Sequence, residues 1–127
     1  TFHGTLDREE VVKMYGASEI FVLPSKTTPS GEKEGLGVVL LEAMMSKVAV
    51  IGTDCGGIPE VITHQQTGLL IQQNDVEALS KAMLHLIEDD GFRKQLIEDA
   101  HAEMSQKYSR DAIQHQLKEW YGGVLYD

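Results

Sequence analysis

Two carboxylates frame the stretch of this chain whose residue types and spacing can do chemistry: Glu34 and Glu42, in the run EGLGVVLLE. Gly35 and Gly37 follow the first of them and lead into apolar residues. The next residues, AMMSK, extend the pattern of one helix from Gly37 to about Ser46. Glu34 then stands just before the helix, beside its first free N–H groups, and Glu42 lies about a turn and a half into it. Glycines let a ligand approach the backbone, while free amides and the helix dipole favour an anion such as phosphate. The carboxylates repel that anion, but they accept hydrogen bonds from hydroxyls. A ligand with sugar hydroxyls on both sides of a phosphate fits this arrangement. Taken alone, Glu-Gly-x-Gly is also what plain strand-to-helix packing uses.

The surrounding elements must position these residues. Phe2 and Gly4 read as the end of a strand and its turn. Asp7 and Glu10 form a capping box for a helix to about Ala17, with Val11, Val12, Met14 and Tyr15 as its apolar positions. Glu19 to Leu23 is a short β-branched and aromatic strand ended by Pro24, and SKTTPSGEK is a polar loop that delivers the chain to Glu34. Val48 to Ile51 reads as a second buried strand, followed by the glycine loop GTDCGGIPE, where Pro59 opens a short turn holding Val61 and Ile62. Gly68 to Ile71 is a third strand.

Asp75 caps the next helix, whose apolar stripe is Val76, Leu79, Met83, Leu86 and Ile87. Gly91 breaks the pattern before a helix through Phe92, Leu96, Ile97, Ala100 and Met104. Ser109 caps a last helix with Ile113, Leu117 and Trp120, ended by Gly122 and Gly123. This order predicts an α/β fold, a Rossmann-like open parallel sheet flanked by helices. Ligands bind such sheets at the carboxyl ends of the strands, so the loops after Leu23, Ile51 and Ile71 should share one edge.

Length and composition narrow the function. The 127 residues make one domain, 42% of them apolar and 24% charged, with no run of about 18 apolar residues to span a membrane. The start, TFHGTLDREE, lacks the pattern of a signal peptide, and beginning at Thr1 it suggests an excised piece. A net charge of −9, from 20 acidic and 11 basic residues, argues against nucleic acid as a partner. The single cysteine, Cys55, excludes an internal disulfide and fits a reducing compartment. Beside Gly56 and Gly57 it reads as a small residue in a tight loop rather than a nucleophile. The five histidines have no metal-ligand spacing, so no metal site is expected.

FVLPS, then EGLGVVLLE, then VAVIGTDCGGIPEVI, then TGLLI: in this order the motifs resemble the C-terminal domain of the family 4 retaining glycosyltransferases, which have the two-domain GT-B fold. Glu34 and Glu42 stand as that family's Glu-x7-Glu signature, and the resemblance covers nearly the whole chain. It implies a nucleotide-diphosphate sugar as donor, needing no metal or other cofactor, and an acceptor held by a separate N-terminal domain missing here. Residues 1–127 would then be the truncated C-terminal GT-B domain with its C-terminal helices.

Glu34 would be the catalytic residue facing the donor sugar's hydroxyls, with Gly35, Leu36 and Gly37 presenting backbone groups to that sugar. The amides of Val38 and Val39 would receive the diphosphate, and Glu42 the ribose hydroxyls. Gly56, Gly57 and Glu60 would support the loop near the nucleotide end. The family's cationic Arg and Lys have no match within the chain, and Lys26 and Lys33 read as solvated loop charges.

The long loop before Glu34 is like those of exopolysaccharide and colanic-acid-type transferases. That implies polysaccharide or glycoconjugate synthesis in the cytoplasm, at the inner face of the membrane if the missing domain associates with it. A non-catalytic nucleotide- or phosphosugar-binding module, or an interaction domain on the same sheet, is the alternative reading.

Overall fold

The computed structural model describes residues 1–32, 37–107, 111, 114 and 115. Glu34, Gly35 and Leu36 lie outside the described residues, as does most of the helix expected after Ser109. The first helix, α1 (Arg8–Gly16), starts as its sequence dictates. The Glu10 N–H donates to Asp7 Oδ1 at 2.8 Å and the Asp7 N–H to Glu10 Oε2 at 2.9 Å. Such a box satisfies two otherwise orphaned donors and stabilises the helix by about 1 kcal/mol.

Next come β1 (Ile20–Leu23), α2 (Val38–Met45), β2 (Ala49–Thr53) and the one-turn α3 (Ile58–Val61). They are followed by β3 (Leu69–Ile71), α4 (Val76–Glu88) and α5 (Asp90–Lys107). The three strands form a parallel sheet in the order β1-β2-β3, with Phe21 beside Val50 and Ile51 beside Leu69. Helices flank this sheet, as the strand–helix alternation predicts. Central β2 is buried at every residue, which is why it reads as a continuous apolar run rather than an alternating one.

Alternation along β2 splits the core in two. Val50 packs with Leu40, Met44, Ile58, Ala100 and Met104 on one side, and Ala49 and Ile51 pack with Ala82, Leu86 and Leu96 on the other. Because α5 crosses the sheet, Leu96 serves one cluster and Met104 the other. Gly52 belongs to β2 rather than to the loop after it. A Cβ there would meet Ile58 Cγ2 and Ile62 Cδ1 at 2.7 Å, so its lack of a side chain lets α3 close onto the strand.

Several expectations are corrected. Phe2 is in no strand and is fully exposed, and on α1 Val12 and Met14 face solvent while Tyr15 is buried. The buried side of α4 is Leu79, Ala82 and Leu86, whereas Val76 and Ile87 are 80% and 57% exposed. Gly91 does not interrupt a helix but is the second residue of α5. The break falls at Asp89, whose Oδ1 accepts from the Phe92 N–H at 2.9 Å.

Candidate functional site

Parallel strands deliver their following loops to one edge, and side chains there tie the loops together. Thr53, buried at the end of β2, donates its hydroxyl to Ser25 O at 2.5 Å. The Asp54 N–H donates to Ile71 O at 2.7 Å. From the third loop, Gln73 accepts the Thr27 N–H at 2.7 Å and donates Nε2–H to Asp54 O at 2.8 Å. The loops after β1, β2 and β3 therefore share one edge. A cavity of about 150 Å³ opens beside them, lined by Pro24, Thr53, Ile71, Asp75, Val76 and Leu79 among others.

Gly37 enters this edge from the far end of the first loop. Its φ of 63° and ψ of 43° lie in the left-handed region, which glycine adopts without strain, and it serves as the N-cap of α2. Among the described residues no side chain caps the helix start, and no acidic residue stands in its first turn. The turn is pressed against the second loop: a Cβ on Gly37 would lie 3.2 Å from Leu40 Cδ1 and 3.8 Å from Ile58 Cγ1. The structure thus brings Gly37, at the start of the helix that carries Val38 and Val39, near Ile58, the residue that follows Gly56 and Gly57. Gly56 takes a φ of 54° and Gly57 is the N-cap of α3, which gives the second loop its tight shape.

Val38 is half-buried and Val39 exposed at the start of α2. Glu60 is exposed on α3, with no side-chain hydrogen bond among the described residues. Cys55 is buried with its N–H on Thr53 O, as a small loop residue should be. Among the described residues no group of three or more His, Cys, Asp or Glu is arranged to hold a metal ion.

Glu42 lies one turn beyond Val38 and Val39, half-buried, and points toward α1. The Tyr15 hydroxyl reaches Glu42 Oε2 at 3.3 Å and the Val39 carbonyl at 3.2 Å, sharing one proton between two acceptors. Tyr15 is buried, with its ring 5.7 Å from that of Phe21. Burial, then the negative charge of Glu42, then the hydrogen bond to it push the Tyr15 hydroxyl up to about 12. It stays a neutral donor throughout the physiological range.

On the solvent side, Arg8 Nη1 stands 3.8 Å from Glu42 Oε1, too far for a hydrogen bond, and the arginine is largely exposed. Such a pair is worth little and leaves that oxygen open to another donor. Sequence reasoning counted Tyr15 as an apolar position and passed over Arg8 and Gln73. No local pattern marks a residue whose partner lies on a distant element.

The family described as Glycosyl transferases group 1 matches residues 1–103. The amylovoran biosynthesis glycosyltransferase AmsK of Erwinia amylovora is 31% identical over 91% of this chain, which spans 28% of that enzyme. The C-terminal domain of a group 1 glycosyl transferase (LpcC) from Francisella tularensis superposes with a TM-score of 0.72. It is 29% identical, with 84% of this chain and 51% of that one covered. Anabaena HepE in complex with UDP-glucose superposes with a TM-score of 0.71 at 25% identity, covering 86% of this chain and 29% of that one.

Proposed function

The chain belongs to the group 1 glycosyl transferases, and we propose that it is the donor-binding part of a retaining enzyme of family 4 that uses a nucleotide-diphosphate sugar. The observation that carries this reading is the left-handed Gly37 turn, without a side-chain cap among the described residues and packed near Ile58 where the 54–57 loop enters α3, with Glu42 held one turn further along the same helix. The UDP-glucose complex of HepE supports a nucleotide sugar as ligand, and the similarity to AmsK supports polysaccharide synthesis as the setting. Because the chain spans less than a third of AmsK, the acceptor site falls to parts of the protein beyond these residues.

In this reading the diphosphate meets the amides of Val38 and Val39 at the start of α2, where the helix dipole favours negative charge. Glycosyl transfer develops positive charge on the sugar and negative charge on the departing diphosphate. Fixed N–H groups aimed at the latter lower the barrier without reorganising. Glu42 accepts the ribose hydroxyls through the oxygen that faces solvent, while Tyr15 holds the other. Glu34, with Gly35 and Leu36, faces the sugar, and Gly56, Gly57 and Glu60 shape the loop beside it. Charge-assisted hydrogen bonds of this kind contribute about 1.5–3 kcal/mol each. The donor needs no metal, since amides rather than a cation meet its phosphates. The work takes place in the cytoplasm, and at the inner membrane face if the acceptor domain associates with it.

Calorimetry separates the two carboxylates. Glu42→Ala weakens binding of UDP, GDP or ADP by at least about tenfold, because ribose is its partner. Glu34→Ala leaves the free nucleotide's affinity unchanged and abolishes sugar transfer by the full-length enzyme. Equal losses of nucleotide affinity in both variants would refute this division. Ligand binding without transfer in the full-length protein would mark a non-catalytic module.

A further inference from the structure

A glutamate carboxylate does not fix its own plane, because its last torsion is broad and turns easily. Its strength as an acceptor is directional all the same, since a donor does best near the plane of an sp² oxygen. A carboxylate that meets neighbouring ribose hydroxyls therefore needs one of its oxygens held from elsewhere. For Glu42 the holder is Tyr15. The two are 27 residues apart in the chain and meet where α1 faces α2. There the Tyr15 hydroxyl stands 3.3 Å from Glu42 Oε2 and 3.2 Å from Val39 O. Both distances are long for a hydroxyl donor, as one proton shared between two acceptors gives.

A rigid support delivers this hydroxyl. The Tyr15 ring is buried in the cluster that holds Leu40, Leu41 and Met44, and it lies 5.7 Å from the ring of Phe21 on β1. Burial, with the charge of Glu42 beside it, raises the hydroxyl's pKa to about 12, so it remains a donor at neutral pH. The hold on Glu42 is one-sided. Oε2 has the buried tyrosine, whereas Arg8 stands 3.8 Å from Oε1 on a largely exposed side chain. Through Val39 O the same hydroxyl also touches the first turn of α2. One side chain thus sets the carboxylate against the start of its own helix.

We propose that Tyr15 is a positioning residue that determines specificity: by holding Glu42 Oε2 it turns Oε1 toward the ligand, and so sets the site's preference for a nucleotide that carries ribose hydroxyls. This rests on the donor reading above, in which Glu42 accepts those hydroxyls. Without the Tyr15 hydroxyl, the carboxylate keeps its charge and its place on α2 but loses its fixed plane, and it can turn toward Arg8. Hydrogen bonds to ribose then weaken, while contacts to the diphosphate and the base do not.

Tyr15→Phe keeps the ring beside Phe21 and removes only the hydroxyl. Calorimetry with UDP, GDP and ADP, each beside its dideoxy counterpart that lacks both ribose hydroxyls, reads the preference. The nucleotide that the wild-type chain binds is expected to lose roughly fivefold in affinity in the variant, while its dideoxy counterpart loses none. An equal loss on both would mark a general loosening of α2 and overturn the positioning role, as would no loss on either. Urea unfolding of Tyr15→Phe, Glu42→Ala and the double variant reads the contact without any ligand. The double variant is expected to lose less stability than the two single losses added together, and strict additivity would overturn the contact. A wild-type chain that binds none of the nucleotides, or binds each pair equally, would overturn the donor reading and this role with it. The unfolding cycle would still decide whether Tyr15 holds Glu42.

Discussion

On the side of the sheet that carries Val50, α2 buries four of its eight residues, and α3 and α5 close around it. On the side that carries Ala49 and Ile51, α4 buries only Ala82 and Leu86 and leaves Val76, Leu84 and Ile87 at least half exposed. The first side holds Gly37, Val38, Val39 and Glu42, whereas α4 on the second contributes Val76 and Leu79 to the lining of the cavity beside the loops. A helix buried along most of its surface has its position over-determined by packing, so the amides at its start and the carboxylate one turn on are held in place. A helix seated on one narrow stripe serves to cover the sheet, and little else follows from its exact placement.

Cavity-making substitutions give the largest effects and test this contrast directly. Leu40→Ala is expected to cost about 2–5 kcal/mol of stability by urea unfolding, because Leu40 is fully buried. Since Leu40 also packs under Gly37, the same variant is expected to lose nucleotide affinity. Leu86→Ala removes an equally buried leucine and should cost a comparable amount while leaving nucleotide affinity unchanged. If Leu86→Ala weakened binding as much as Leu40→Ala, the difference between the two faces would carry no functional meaning.

A smaller effect sharpens the comparison at the α1–α2 contact. Tyr15→Phe removes one shared hydroxyl proton and is expected to cost about 1 kcal/mol at neutral pH. The Tyr15 pKa is raised from 10.0 to about 12 in the folded protein. A group that holds its proton more tightly when folded adds stability that is fully present below about pH 10 and is lost as pH rises through about 12. The stability difference between wild type and Tyr15→Phe should therefore be constant below that window and shrink across it. A difference that stayed constant through pH 12 would show that burial and Glu42 together do not raise the Tyr15 hydroxyl's pKa in solution.

The smallest effects belong to the outer surface of α4. Val76→Ser and Ile87→Ser are each expected to change stability by no more than about 0.5 kcal/mol in thermal unfolding, despite being apolar residues on an apolar pattern. Losses as large as that of Leu86→Ala would mean that this surface is covered in solution.

Local chemistry wrote much of this fold into the sequence. Asp7 and Asp75 cap the helices that follow them, the strands lie within a residue or two of their apolar runs, and Gly37 opens α2 in the left-handed turn its type permits. Each of these depends on residues a few positions apart, so a linear reading captures it. The apolar residues of α4 were read as broader than the stripe that is buried, and Ala82 was passed over for Val76, Met83 and Ile87. Periodicity marks an apolar side, but which part of it is covered depends on where α5 and the sheet lie.

The remaining decisions were tertiary. Tyr15 is an aromatic residue at an apolar position until folding carries its hydroxyl across 27 residues to Glu42. Gln73 is a polar loop residue until it meets Thr27 and Asp54. A hydrogen-bonding group acquires its role from the partner it meets, and when that partner is distant in the chain only the closed fold can supply it.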